Sequence, residues 1–154
     1  MVPDPTTATA ATFAAVFAAL YAAHQVADHW VQTQHQADTK GDPGPAGRVA
    51  CAAHVASYTA TAFGALGLLA LATGIDLHPA PVAVGLAVSA LTHYVADRRT
   101  PLRRLAELTG SARFHALGVP RPGRDDNPSL GTGAYALDQS WHYAWLFIAA
   151  LIIA

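Results

Sequence analysis

The stretch that decides the fold is Leu91–Asp97, which reads LTHYVAD and ends a long apolar run. His93 and Asp97 in this stretch are four residues apart, so on a helix both side chains lie on one face, one turn from each other. The same His/Asp spacing occurs twice more along the chain, in His24/Asp28 and in Asp138/His142. The spacing therefore predicts three helices that each present a paired imidazole and carboxylate.

Charged residues are rare in this chain and unevenly distributed. Only 12% of the 154 residues are charged and 53% are hydrophobic, and that charged share is about half the usual one for a soluble domain. Asp, Glu, Lys and Arg are absent from four segments, 5–27, 49–75, 77–96 and 139–154. Because a helix needs about 20 predominantly apolar residues to cross a bilayer, we predict an all-α fold, a four-transmembrane-helix bundle that forms one domain over 1–154. The alternative is a soluble, alanine-rich helical bundle, since alanine transfers into lipid only weakly.

The predicted helices cover about 9–33, 49–73, 81–97 and 134–154, and an Arg-rich loop covers 98–132. Within this loop, Thr100 and Pro101 are typical of a helix start and Gly110 of a helix end. They predict a short amphipathic interfacial helix between helices 3 and 4, or an ordinary connecting helix if the fold is soluble. The rest of the loop, Val119–Gly133, is rich in Pro, Gly, Asp and Asn and is predicted to be irregular.

The second predicted helix carries small and polar residues with distinct expected roles. Gly64 and Gly67 would let a neighbouring helix approach closely. His54 lies near the start of the helix and joins the set of paired histidines. Cys51, three residues earlier, is either an additional ligand or a small packing residue.

The basic residues predict the orientation in the membrane. The residues before 9 and the turn 74–80 contain no Lys or Arg, whereas the first loop contains Lys40 and ends at Arg48. The long loop carries seven arginines, namely Arg98, Arg99, Arg103, Arg104, Arg113, Arg121 and Arg124. The positive-inside rule then predicts an inner (cytoplasmic) membrane protein with both loops in the cytoplasm and both termini outside. All the paired histidines would lie near the cytoplasmic ends of their helices.

Two classes of partner follow from the same charges. The arginines nearest the third helix are expected to contact membrane lipid through anionic headgroups, namely Arg98, Arg99, Arg103 and Arg104. A solvated loop that only fixes topology is the alternative. The formal net charge of −1 gives no reason to expect a nucleic-acid partner.

Four imidazoles and three carboxylates at one depth of a bundle predict a metal site. The candidate ligands are His24, Asp28, His54, His93, Asp97, Asp138 and His142. Imidazole and carboxylate together suit divalent Zn, Mn or Fe, and seven ligands exceed what one tetrahedral ion needs, so one or two ions are expected. Such a centre would activate water for hydrolysis of a membrane-proximal substrate, with Asp28, Asp97 and Asp138 as candidate catalytic residues. The alternative is a non-enzymatic membrane protein, either a transporter, a proton-linked component or an accessory subunit, whose His/Asp network is structural.

The order of these motifs resembles that of a known family. The first predicted helix reads HxxxDxxxQT from His24 to Thr33, and Lys40 follows Gln32 by eight residues. An early histidine in the second helix, HxxxD at the end of the third and DQxxH at the start of the last continue the pattern. This arrangement resembles a family of small bacterial polytopic membrane proteins catalogued as a domain of unknown function, and more distantly membrane-bound metal-dependent hydrolases. The resemblance implies a polytopic membrane protein without an established activity; a histidine at position 29, alanine-rich helices and the long Arg/Pro loop depart from the family pattern.

Overall fold

The computed structural model describes residues 5–119 and 131–154 of the chain. Regular structure in these residues is helical throughout, as the sequence predicts. The helices are α1 (Pro5–Val26), which continues into a π turn (Ala27–Val31), α2 (Gln34–Thr39), α3 (Gly44–Thr73), α4 (Pro79–Asp97), α5 (Thr100–Leu108), α6 (Ala112–His115) and α7 (Gly133–Ile153). Most of the segment predicted to be irregular, with Arg121 and Arg124, lies outside the described residues.

The four long helices α1, α3, α4 and α7 pack as a ring in which each contacts two others. The carboxyl-terminal ends of α1 and α4 meet the amino-terminal ends of α3 and α7, because His24 and His93 contact His54 and His142. Neighbours in the ring are therefore antiparallel, and their His/Asp motifs come together at one end of the bundle.

Three of the long helices are long and apolar enough to cross a membrane, namely those covering Thr6–Val31, Gly44–Thr73 and Pro79–Asp97. The outward faces of these helices expose large apolar side chains; Leu71 is 88% exposed and Leu91 is 69% exposed. Such a surface is costly in water and favourable in lipid. The structure therefore has three candidate membrane spans and is consistent with a membrane protein. The fourth predicted span, α7, is not among them, because Asp138, Gln139 and His142 interrupt its apolar character.

The other end of the bundle has an apolar core. It consists of Val16, Leu20, Ala23, Ala62, Leu66, Leu86, Leu146, Ala149, Ala150 and Ile153. Helices α4 and α7 approach each other closely there, since a Cβ at Gly85 would lie 2.6 Å from Cγ1 of Ile153. The prediction that Gly64 and Gly67 serve this purpose is wrong, because within the described chain nothing lies within 4 Å of a Cβ built at either residue.

Two helix starts differ from the prediction, one at a first-turn proline and one at a capping box. Helix α3 begins at Gly44, five residues before the predicted start at 49, because Pro45 occupies the first turn, where a missing N–H costs nothing. The unpredicted helix α2 begins after Thr33, which forms a capping box with Gln36. The predicted short loop helix is present as α5, and it buries Leu102.

Candidate metal centre

All seven predicted ligands converge at the end of the bundle that lies opposite the apolar core. The rings of His24 and His142 have centroids 4.7 Å apart, and those of His93 and His142 are 4.2 Å apart. His54 faces His93 with its ring centroid 5.0 Å away. The three paired spacings are kept, since each carboxylate lies 3.2 to 3.6 Å from the histidine of its own pair.

The π turn at Ala27–Val31 gives the first motif its local geometry. Asp28 lies inside this wide turn and points one carboxylate oxygen, Oδ2, at Nδ1 of His24. Its other oxygen, Oδ1, points at His54 and His93. Single π turns within α-helices are frequently found at functional sites. The turn also ends the helix at Val31, two residues before the predicted end at 33, because the backbone of Gln32 leaves the helical conformation with a ψ of 128°.

The distances from Asp28 to two neighbouring histidines match those between ligands of one ion. Oδ1 of Asp28 lies 3.4 Å from Nε2 of His54 and 3.6 Å from Nε2 of His93, and the two Nε2 atoms are 3.0 Å apart. Ligands at about 2.0–2.2 Å from a tetrahedral ion lie about 3.3–3.6 Å from each other, so the separation of the two Nε2 atoms is shorter than this and is that of a hydrogen bond. Charge-assisted hydrogen bonds between the same groups would be about 2.7–2.9 Å long. The two carboxylate contacts are therefore too long for strong hydrogen bonds and are suited to metal coordination.

Two further groups of three ligands adjoin this one. Asp28, His54 and His93 form the first group; His24, His93 and His142 form the second; Asp97, Asp138 and His142 form the third, and within each group the ligand atoms lie within 4.8 Å of one another. The groups are linked because His93 belongs to the first two and His142 to the last two. The arrangement can hold one ion or two.

The ligands differ in their access to the surroundings. All four histidines are buried, and the Asp97 side chain is buried with them, whereas that of Asp138 is 29% exposed. A cavity of about 690 Å³ opens next to Asp28, Asp97 and Asp138. The histidines thus form the closed side of the centre, and the carboxylates form the side that a water molecule or a substrate could reach.

Several buried polar atoms of the centre have no hydrogen-bond partner. Within residues 5–119 and 131–154, the orphaned buried side-chain atoms all belong to the predicted ligands, namely both ring nitrogens of His24, Oδ1 of Asp28, Nδ1 of His54, Nδ1 of His93, Oδ2 of Asp97 and Nε2 of His142. A buried polar atom without a partner costs about 1–3 kcal/mol. Because this cost is confined to one cluster of metal-ligating residue types, the donor set fits a divalent cation.

Lys40 is a member of the site that was not among the predicted ligands. Its Nζ lies 2.9 Å from Oδ1 of Asp97 and donates a hydrogen bond of 3.0 Å to Oε1 of Gln32. The only sequence signal for this contact was the spacing of Gln32 and Lys40 in the family resemblance. The ammonium group places a fixed positive charge beside the carboxylates.

The arginines that follow α4 hold the segment that carries Lys40. Arg98 donates hydrogen bonds to the backbone carbonyls of Lys40 and Asp42. Arg99 donates one of 3.1 Å to the carbonyl of Ala37. Two of the four arginines predicted to meet lipid headgroups therefore also have a structural role, and their contact with headgroups remains a prediction.

Two side chains that are not candidate ligands, Tyr58 and Gln139, contact the candidate ligands and orient them. The ring of Tyr58 stacks on His93 with centroids 4.1 Å apart, and its hydroxyl lies 2.6 Å from that of Ser89. Gln139 donates a 3.3 Å hydrogen bond to Asp138 and accepts one from Tyr143. These contacts fix the orientation of a histidine and a carboxylate that are both candidate ligands.

Cys51 lies beside the centre without joining it. The residue is buried, and its Sγ donates to the carbonyl of Tyr94 at 3.7 Å. This contact favours the packing role over the ligand role. His29 and His115, which are not among the predicted ligands, line the cavity next to the centre.

Comparisons with known proteins add no relatives to this description. No protein-family model matches the chain, and no curated protein or solved structure is significantly similar to it. The resemblance of the His/Asp motifs to a family of small bacterial membrane proteins therefore remains a prediction.

Proposed function

We propose that the protein is an integral membrane, metal-dependent hydrolase whose His/Asp centre acts on a substrate at the membrane surface. The observation that carries the proposal is the set of orphaned ligand atoms, which belong to one cluster and whose carboxylate contacts have the spacing of metal ligands. A bound divalent ion would supply a water molecule that loses its proton near neutral pH.

The charge of the centre favours one divalent ion in the resting state. Three carboxylates contribute −3, Lys40 contributes +1 and neutral imidazoles contribute nothing, so the sum is −2. Buried charge is strongly unfavourable unless it is compensated. One divalent ion restores neutrality, whereas a second would require an additional anion, such as a substrate.

The residues of the centre have different proposed roles. The buried histidines would hold the ion, and the exposed part of Asp138 faces the cavity, where it could accept a proton from an incoming water molecule. Lys40 keeps Asp97 in place through its ion pair of 2.9 Å. The apolar half of the bundle closes the centre on the opposite side, so reactants reach it from the cavity.

A metal-free role is the second candidate, and one observation favours it. Lys40 and Asp97 form a close ion pair, and Nε2 of His54 lies within hydrogen-bond distance of Nε2 of His93. Such contacts can lock helices together or move protons without any metal. A transporter fits less well, because residues such as Leu20, Leu66 and Leu146 fill the interior beyond Tyr58.

Metal analysis of the detergent-purified protein tests the proposal. Without chelators, we expect about one divalent ion per chain, and we expect His93→Ala to lower that content at least tenfold. His78→Ala is the matched control, because this exposed histidine lies at the opposite end of α4. A folded wild-type protein that contains no stoichiometric Zn, Mn or Fe, even after incubation with these ions, would refute the hydrolase and favour the metal-free role.

We also propose that α7 crosses the membrane as a fourth span, so that both termini lie outside the cytoplasm and the Arg-rich loop lies inside. A reporter enzyme that folds only outside the cytoplasm should be active when fused after Ala154 and inactive when inserted after Thr109. The reverse pattern would contradict the orientation, and release of the protein by a carbonate wash would contradict membrane insertion itself.

A further inference from the structure

The cavity of about 690 Å³ beside the metal centre combines opposite charges on its walls. Asp28, Asp97 and Asp138 lie on the side of the centre. Positively charged or ionisable residues also line the cavity, namely His29, Lys40, Arg99, Arg103 and His115. A pocket that joins a carboxylate cluster to a group of cations is suited to an anionic ligand that also contacts a metal ion.

The cations differ in how much of their binding capacity is already used. Lys40 is paired with Asp97, and Arg99 donates to the carbonyl of Ala37. Within residues 5–119 and 131–154, the one ion pair of Arg103 is a 3.8 Å contact with Glu107, and both side chains are more than half exposed. An exposed pair of this kind contributes little energy, so the guanidinium of Arg103 is the most available cation on the cavity wall.

The backbone at Arg99 is held in a rare conformation next to the centre. Its φ of 58° and ψ of −48° lie near those of a classic γ-turn, a conformation that is costly for a residue with a side chain. The turn comes directly after Asp97, the last residue of α4. The chain changes direction there before α5 begins. As a result α5 starts beside the centre and carries Arg103 to the cavity.

We propose that the cavity binds a phosphate ester, with its phosphoryl oxygens between the metal centre and the guanidinium of Arg103. The planar guanidinium matches the geometry of phosphate oxygens and can donate two hydrogen bonds to them. The three carboxylates would repel this group in the absence of metal, so binding requires the loaded centre. The inference rests on the proposed function, for which it names the substrate class.

The same phosphate chemistry could come from a lipid headgroup or from a soluble ester. Leu102 and Tyr135 give the cavity an apolar wall. The outer face of α5 and the following segment expose Leu108 and Phe114, as expected for a segment that contacts a membrane surface. A lipid phosphate would thus have apolar surface available beside its headgroup.

Phosphate binding by the metal-loaded, full-length protein tests the proposal. The probes are glycerol 3-phosphate in detergent solution, and nanodiscs that contain phosphatidic acid in phosphatidylcholine, with pure phosphatidylcholine nanodiscs as the blank. We expect binding that Arg103→Gln weakens about tenfold, as for a lost charge-assisted hydrogen bond. Arg104→Gln is the matched control, because this neighbour on α5 does not line the cavity, and it should change the affinity less than twofold.

The outcomes distinguish a lipid phosphate from a soluble ester. They also distinguish failure of the phosphate proposal from failure of the hydrolase proposal. Arg103-dependent binding of phosphatidic acid alone identifies a lipid phosphate, and such binding of glycerol 3-phosphate identifies a soluble ester. Absence of binding to a protein that contains metal would overturn the phosphate proposal and leave the metal centre intact, as would equal losses in the Arg103 and Arg104 variants. A protein without metal that still binds phosphate through Arg103 would refute the hydrolase but retain the cavity as an anion site.

Discussion

The two halves of the bundle are built from the same four helices but are stabilised in different ways. In the apolar half, residues such as Leu20, Leu66 and Leu146 are fully or almost fully buried against each other, and Gly85 lets α7 approach α4. In the polar half, four histidines and Asp97 are buried just as deeply, but several of their polar atoms make no hydrogen bond. The apolar half is fully packed, whereas the polar half gathers side chains that could hold a metal ion.

This difference supports the proposal that the functional site lies in the polar half. Van der Waals packing and helix contacts can drive association of the apolar halves in lipid. The polar halves bring carboxylates together without full neutralisation, which weakens the bundle at that end. A cation that occupies the centre would relieve this repulsion, so stability and metal binding should be coupled in one half only.

Among the changes considered, metal removal should have the largest effect on the stability of the protein, and it should act through the polar half. With free metal at about 1,000 times its dissociation constant, the bound ion should stabilise the folded wild type by about 4 kcal/mol. Unfolding in detergent with and without a chelator measures this difference. His93→Ala should unfold at the same point under both conditions. An equal chelator effect in the two proteins would contradict a coupling through this centre.

A cavity in the apolar half should destabilise the protein without changing the centre. Leu66→Ala removes a buried side chain from the core and should lower the free energy of unfolding by about 2–5 kcal/mol. The metal content per folded chain should stay that of the wild type. Leu68→Ala is the control, because Leu68 is exposed on the same helix, and it should cost much less. A loss of metal in Leu66→Ala would show that the halves are not independent.

The close approach of α4 and α7 should be sensitive to a single methyl group. Gly85→Ala places a Cβ 2.6 Å from Ile153 and 3.0 Å from the carbonyl of Ala149, and overpacking of this kind costs about 1–3 kcal/mol. Gly64→Ala adds the same methyl group where nothing lies within 4 Å, so its stability should be unchanged or slightly higher. Equal destabilisation by both variants would mean that Gly64 contacts another molecule, such as a second copy of the chain.

The polar half was more predictable from sequence than the apolar half. The i,i+4 spacing of three His/Asp pairs is a local property of a helix, so it predicted which side chains share a face, and the structure brings all of these pairs together with His54. Packing between helices depends on their rotation about their own axes. Alanine-rich helices carry little information on rotation, because most of their faces look alike. The role assigned to Gly64 and Gly67 was wrong for this reason.

Features that depend on a turn or on capping were also beyond the sequence pattern. The π turn that orients Asp28 has no composition of its own, and it moved Gln32 out of the helix. Helix α2 is too short to show a periodicity, although Thr33 and Gln36 are a recognisable capping pair. Lys40 reaches Asp97 only because Arg98 and α2 hold its backbone, and that is a long-range contact.

The smallest effect on stability is expected from a substitution at the start of α2, the short helix that leads to Lys40 in the polar half. Thr33 accepts a hydrogen bond from the backbone of Gln36 and starts the helix that leads to Lys40. Thr33→Ala removes this cap and should cost about 1 kcal/mol, confined to α2 because the helix buries no residue. Hydrogen exchange should therefore accelerate at residues 36–40 but not in α3 or α4. The control Gln34→Ala leaves the cap intact and should leave exchange at 36–40 much closer to that of the wild type.

The Lys40–Asp97 pair depends on this helix, so Thr33→Ala should also bind metal slightly more weakly. Unchanged metal affinity together with faster exchange would mean that Arg98 alone is sufficient to position Lys40.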